Sequence, residues 1–452
     1  MTLKPAKALI GLTLFAASST LSSSLFAIDL QQVYQQALNN EHQYKADTAA
    51  YEAGLESYKV GRAGLLPSIG TSAVYSDSEA RTADALRGNF ASDVGITYTV
   101  SLSQPLFDLS AWFNYKEGVV LTEQARAQYS SDQQAFIVRV ASAYFDVLRA
   151  ADVLDNGIAR EKALKHQLEQ TQQRFEVGLT AITDVHDAQA TYDSARADTL
   201  ADRVNLGSAY DTLEVITGSS YDQVASLADN FPVTEPVPNN RDQWVEFALT
   251  NNFALKASKL SAKAAKHSAR SVRNSYNPTV EASISESDNR RFQGANDIEQ
   301  TSISVRVDFP LYAGGGVKAQ ARQAESRYQQ AQENYLQTKR EIVQAARSQH
   351  LTVLTDVATV DARKQAIVSS ESSLEATEAG YEVGTRDFVD VLNAQQGVFQ
   401  ARSDYYNALY AYILDTLRLK QTAGLLGPKD LLDLNQWLDE NKTKSRADYD
   451  KL

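Results

Sequence analysis

Few residues in this chain could carry chemistry. Gly314-Gly-Gly316-Val-Lys318 is a glycine run followed by a lysine. A phosphate-cradling loop needs a longer spacing and a Ser or Thr after the lysine, so these glycines better suit a strand passing into a helix. His42, His166, His186, His267 and His350 show no metal-ligand spacing and read as surface or seam residues. With no cysteine there is no disulfide, no thiolate metal site and no cysteine nucleophile. No nucleophile–base pair stands out, so the expectation is a protein that is not an enzyme and holds neither cofactor nor metal. One acidic pair has helical spacing. Asp184 and Asp187 are i,i+3 neighbours. Thr183 and Asp184 also suit a helix start, where acids offset the helix dipole.

The elements that must position these residues begin with an address. Lys4 and Lys7 precede an apolar run over 8–17, and Leu25-Phe26-Ala27 follows a Ser-rich stretch. This predicts a secretory signal peptide over 1–27 and an exported chain. The run is shorter than the roughly 20 residues that span a bilayer. Across 452 residues, 44 Lys and Arg stand against 56 Asp and Glu, a net charge of −12 that would repel nucleic-acid phosphate. A 43% apolar content with mean hydropathy −0.36 is too polar for a helical membrane protein.

Proline placement outlines the architecture, because proline interrupts helices and central strands. Pro67 and Pro105 bracket one short segment, Pro278 and Pro310 another, and each bracket precedes a long proline-free tract. Arg174-Phe-Glu-Val-Gly-Leu-Thr-Ala-Ile-Thr-Asp-Val185 aligns with Gly380-Tyr-Glu-Val-Gly-Thr-Arg-Asp-Phe-Val-Asp-Val391. The pattern predicts an internal two-fold repeat, 28–232 and 233–434.

Inside the brackets the period is two. Val94, Ile96, Tyr98, Val100 and Leu102 oppose Gly95, Thr97, Thr99, Ser101 and Ser103. The second copy sets Ile303, Val305 and Val307 against Ser302, Ser304 and Arg306. Hairpins are predicted over 68–104 and 279–309. Their strands of about 10 residues match the apolar band of an outer-membrane barrel, with Phe107, Trp112, Phe113 and Tyr312 at the interface. Four strands cannot close a barrel, and unpaired edges are not tolerated in lipid, so the barrel must be shared by two or more chains. The proline-free tracts show heptad seams, Phe136-Val140-Ala143-Val147-Ala150-Leu154 and Val353-Val357-Val360-Ile367-Leu374. About 65 helical residues would extend roughly 100 Å. Glycine breaks each tract, giving turns at 177–180 and 383–386. A solid coiled-coil rod and the wall of a hollow tube would use the same seams. A periplasmic coiled-coil adaptor without a membrane barrel therefore stays open as an alternative.

These residues resemble the outer membrane factor (TolC) family of bacterial outer-membrane channels. The likeness runs from about residue 28 to 434. It is most specific in Leu65-Leu-Pro-Ser-Ile-Gly70, Phe309-Pro-Leu-Tyr-Ala-Gly-Gly315 and the two helical turns. It implies an α+β membrane protein: a homotrimer whose shared β-barrel, four strands per protomer, continues into a long antiparallel coiled-coil barrel in the periplasm. It also implies an equatorial region from 219–243 and 425–440, while 441–452, rich in Lys, Asp and Arg, reads as a disordered tail. The implied function is a passive exit duct in the outer membrane for tripartite efflux and type I secretion. A periplasmic adaptor and an inner-membrane RND or ABC transporter would open it. The adaptor would meet Val177, Gly178, Leu179, Val383, Gly384 and Thr385. The resemblance also implies a gate latch pairing Asp184 with Tyr381 and Arg386 with Thr183 and Asp184. It implies a pore constriction at Asp390, with Asn393 where the family carries a second acid.

Overall fold

The computed structural model describes residues 27–81, 90–293 and 297–446. The expected signal peptide lies outside these residues but for Ala27, as do the outermost parts of both strand loops. In chain order the elements are α1 (Leu30–Asn40), α2 (His42–Ala63), β1 (Ser68–Arg81), β2 (Phe90–Phe107), α3 (Leu109–Glu176), α4 (Ile182–Thr217) and β3 (Gln223–Leu227). There follow α5 (Arg241–Asn251), α6 (Phe253–Asn274), β4 (Thr279–Gln293), β5 (Ile298–Asp308), α7 (Gly316–Glu382), α8 (Phe388–Thr422), α9 (Pro428–Asn435) and β6 (Leu438–Ser445). Element lengths recur between the halves: α1 and α5 have 11 residues, α2 and α6 have 22, and α3 and α7 have 68 and 67.

Local chemistry sets the boundaries. Asp29 and Asp108 cap α1 and α3 by accepting hydrogen bonds from the Gln32 and Ala111 amides at 2.7 and 2.9 Å. Pro278 and Pro310 flank the β4–β5 hairpin, and Pro428 opens α9. Pro105 instead lies inside β2, at a register shift against β4, where a missing amide is tolerated.

The chain forms one layer. Its sheet is antiparallel in the order β1-β2-β4-β5, leaving β1 and β5 as free edges. Each strand runs into a helix, so next to the sheet the helices inherit that order, α2-α3-α6-α7. Beyond the midpoint α4 and α8 replace α2 and α6, giving α4-α3-α8-α7. The main core sits at this midpoint, where α1, α9 and the β3–β6 pair cover α3, α4 and α8. There Tyr144, fully buried, donates to the Ala225 carbonyl at 2.7 Å. Tyr410 donates to Asp152 at 2.6 Å, satisfying a hydroxyl whose burial is otherwise unfavourable. The first heptad seam is buried at Phe136, Val140, Ala143, Val147 and Leu154. On α7 only Ile342, Ala346, His350, Val353 and Val360 are buried out of 67 residues, which marks it as an edge without a partner.

Two expectations need correcting. The 441–452 tail is not wholly irregular, because 441–445 belongs to β6, paired with β3. Its charges, which suggested disorder, have fixed partners: Lys444 pairs with Asp152 at 2.7 Å and Asp155 at 2.5 Å. Residues 447–452 lie outside the described residues. The strands are also longer than 10 residues, 18 in β2 and 15 in β4. Ladder bonding is indifferent to side-chain polarity and continues past the apolar stretch. Phe113 of α3 stacks on His267 of α6 at 6.3 Å, joining the two helices beside the sheet.

The α2–α3 contact is glycine-dependent. A Cβ on Gly118 would strike the Ser57 carbonyl, and one on Gly61 would lie 2.9 Å from the Asn114 oxygen. Gly118→Ala should therefore lower stability by about 1–3 kcal/mol. Gly207→Ala, which meets nothing within 4 Å, should be neutral or stabilising. Thermal melts of the two variants should move in opposite directions. A second outcome concerns Asp356, on α7 facing Asp415. Burial, then the Asp415 charge, pushes its carboxyl from 3.8 up to about 6. The folded state thus holds a proton that the unfolded state has lost between these values, and stability falls as pH rises through that window. Asp356→Asn should flatten that part of the pH–melting profile and raise the melting temperature at pH 7.

Candidate functional site at the helical turns

Both helical hairpins turn by the same backbone device. After α3, the Leu179 amide donates to the Arg174 carbonyl at 2.8 Å and the Gly178 amide to Phe175 at 2.9 Å. After α7, Thr385 donates to Gly380 at 2.8 Å and Gly384 to Tyr381 at 3.1 Å. This pattern needs a left-handed residue, and Gly178 and Gly384 adopt φ of 79° and 77°. Backbone bonds close both turns, joined in the second by the Thr385 hydroxyl, which donates to the Gly380 carbonyl at 3.0 Å. Val177, Leu179 and Val383 are 69%, 72% and 75% exposed, apolar groups displayed at a tip where burial would favour them.

Behind the tips a small core ties the hairpins together. Leu164 and Leu168 of α3, Ala188 and Ala195 of α4, and Phe388 and Leu392 of α8 form it, with Val185, Tyr192 and Tyr381 against its rim. The Tyr381 ring lies 5.9 Å from that of Phe388, and the Arg174 guanidinium sits 5.1 Å above Tyr381. Sequence reasoning missed Arg174. The only available signal was its position opposite Gly380 in the aligned turns.

The expected latch residues gather here, but in a single chain they have other partners. Asp184 accepts hydrogen bonds from Thr180 and, at 3.4 Å, from Thr183. Arg386, in the turn just before α8, reaches Asp390 of the first turn of α8 at 3.5 Å, with both side chains substantially exposed, a weakly held pair. The Arg386 stem folds over Gly380, where any Cβ would meet it at 2.8 Å. Among the described residues, neither Tyr381 with Asp184 nor Arg386 with Thr183 or Asp184 forms a bond within one chain. Asp387 caps α8 by accepting from the Asp390 amide at 2.8 Å, which fixes the first turn. Phe388, Val391 and Leu392 are buried, so Asp390, half-buried, and Asn393, exposed, share the other face. On α4 the corresponding Asp187 is exposed.

At the opposite end the sheet is two-faced. Cross-strand register aligns Ser68, Ser103, Ser283 and Ser304 in one row, with the Ser283 and Ser304 hydroxyls 2.8 Å apart. The next row on that face is Gly70, Ser101, Ser285 and Ser302. The opposite face places Ile69, Leu102, Ile284 and Ile303 in register, all exposed. Among the described residues no His, Asp and Glu cluster could hold a metal, and no helix is long and apolar enough to cross a membrane.

The pattern of the outer membrane efflux protein family matches residues 33–219 and 244–425. The chain is 35% identical over 442 residues to the outer membrane protein TolC of Vibrio cholerae, covering 96% of this chain and 99% of that protein. It is 28% identical to the alkaline protease secretion protein AprF of Pseudomonas aeruginosa, covering 91% and 87%. Among solved structures, the Campylobacter jejuni CmeC outer membrane channel superposes with a TM-score of 0.76 over 97% of this chain and 98% of that one, at 16% identity. With both halves matched and a relative aligned along nearly its whole length, the chain belongs to the outer membrane efflux protein family.

Proposed function

We propose that the protein is an outer-membrane exit duct for efflux and type I secretion, assembled from three copies and extending into the periplasm. The observation that carries this reading is the single layer with two free edges. One face of its sheet is a hydroxyl ladder, the other is exposed aliphatic rows. Such a sheet suits water on one side and hydrocarbon on the other. Its free edges, β1 and β5, require pairing with copies of themselves in lipid, where each unbonded backbone group costs several kcal/mol. Barrels need about eight strands or more. Three copies give twelve, in keeping with the family. The boundary of the apolar face slants: β2 continues with Tyr98 and Ile96 where β4 presents Asp288 and Arg290. Strands tilted in a barrel produce that slant.

In the same assembly the helical edges α2, α4 and α7 meet neighbouring copies, and the helices form a tube one helix thick. The recurrence of element lengths and the two family matches support an internal duplication. Export is driven elsewhere, by an inner-membrane transporter acting through a periplasmic adaptor. The adaptor meets Val177, Gly178 and Leu179, and Val383, Gly384 and Thr385. The exposed apolar side chains of Val177, Leu179 and Val383 and the names of relatives such as AprF support this.

At the closed tip, Arg386 exchanges its weak pair with Asp390 of the same chain for Thr183 and Asp184 of the adjoining copy, and Tyr381 reaches Asp184. Charge-assisted bonds are worth about 1.5–3 kcal/mol each when shielded. A ring of them holds a gate that a partner can still open. Asp390 forms a single acidic ring, and Asn393 leaves the second ring neutral.

Planar-bilayer recordings of the full-length protein test both features. Arg386→Ser and Tyr381→Phe should each raise resting conductance several-fold; unchanged conductance would place the latch elsewhere. Asp390→Asn should reduce cation over anion selectivity, and an unaltered reversal potential in a salt gradient would reject the ring assignment.

A further inference from the structure

Helix α6 departs from the charge of the rest of the chain. Lys256, Lys259, Lys263, Lys266, Arg270 and Arg273 succeed one another at steps of three and four, all exposed, and α6 contains no Asp or Glu. In a protein of net charge −12 this is a concentrated positive strip, ~25 Å long at 1.5 Å per residue. Among the described residues none of the six forms an ion pair. Arg270 lies over the Phe113 ring at 5.8 Å. The field acts on its surroundings: His267 is held below its ordinary value first by burial, then by Arg270, Lys263, Lys116 and Lys266. Keeping like charges this close is unfavourable for the isolated chain.

Beside the strip runs a groove of about 500 Å³ between α6 and α7. The four lysines form its rim, while Leu260, Tyr328 and Tyr335 line its floor. Tyr335 also packs against the cluster of Ala248, Leu255, Ile342 and Ala346 that joins α5 to the layer. The strip therefore lies on the face that carries α5. In the duct reading, on which this inference rests, that face is the outside, since elements packed on the layer would obstruct a bore. Because α6 lies between α3 and α7 rather than at an edge, copies joined edge to edge leave it uncovered.

We propose that this groove is a docking site for an acidic amphipathic α-helix of another protein. The helix lies along α6, its apolar stripe on Leu260, Tyr328 and Tyr335 and its carboxylates against the lysine rim. A helix presents carboxylates at the same three- and four-residue steps, and its apolar stripe matches the groove floor. A lipid surface fits less well. The strip runs along the helix away from the sheet, so headgroups beside the sheet meet only its Arg270 and Arg273 end.

The test uses full-length protein in phosphatidylcholine nanodiscs. The probe is a labelled synthetic peptide of about three heptads with Leu at a and d and Glu at e and g, read by fluorescence anisotropy. Saturable binding is expected, weakening about tenfold or more in a Lys259→Glu, Lys263→Glu, Lys266→Glu variant and on raising salt from about 50 to 200 mM. The matching Lys→Arg variant should retain it, and Leu260→Asp should weaken it. Equal affinity in the charge-reversal variant overturns the proposal. So does retention of soluble cell-wall glycan peptides by a protein that ignores the helical probe. Bilayer conductance of the same preparations separates the two readings: a wild-type protein that conducts but binds no probe loses the docking site and keeps the duct.

Discussion

Unpaired backbone at the two edges of one thin layer is the constraint from which the rest of the structure follows. The four-stranded sheet satisfies every internal strand and leaves β1 and β5 half-bonded. In water such edges invite aggregation; in lipid they are untenable. Because each strand continues into a helix, the same order and the same open edges pass down the molecule, and α7, packed on α6 and then α8, has no neighbour on its other side among the described residues. The proposed closure by further copies repairs the sheet edges and the helical edges in one operation.

Cohesion within a chain is concentrated at the midpoint. Here the helices exchange neighbours, α4 and α8 taking the places of α2 and α6, and the strap of α1, α9, β3 and β6 supplies a second layer. Tyr144 and Tyr410 anchor that junction through hydroxyls bonded to the Ala225 carbonyl and the Asp152 carboxylate. Away from it the layer is one helix thick, and close approach relies on small residues such as Gly61 and Gly118. A wall of this kind can be long and still leave room for a bore.

The tips follow a different economy. Backbone hydrogen bonds and two left-handed glycines close the turns, with the Thr385 hydroxyl adding one bond to the second, so the apolar tip side chains are not needed to hold the hairpins shut. Val177, Leu179 and Val383 remain exposed, and Arg386 keeps only a long, solvated contact to Asp390. Groups so weakly held inside one chain can change partners at little cost, which is what a gate operated from outside requires. The basic face of α6 is a separate surface, far along the chain from these turns and of opposite character to their apolar display.

Sequence periodicity alone determined the element types. Alternation marked the two hairpins, the 3.5-residue seam marked the long helices, and Gly178 and Gly384 marked their turns, because each signal is local and repeats within a few residues. The proposed latch and constriction residues came from resemblance rather than spacing, since the partners proposed for them lie on other helices or other copies. Tertiary structure alone decided that 441–445 closes a small sheet with β3, that Arg174 lies over Tyr381, and that serines from four strands fall in one row. It also placed the α6 cations on the face that carries α5. Each depends on residues far apart in the chain meeting in a particular register, and register is set by packing of whole elements, which no local pattern encodes.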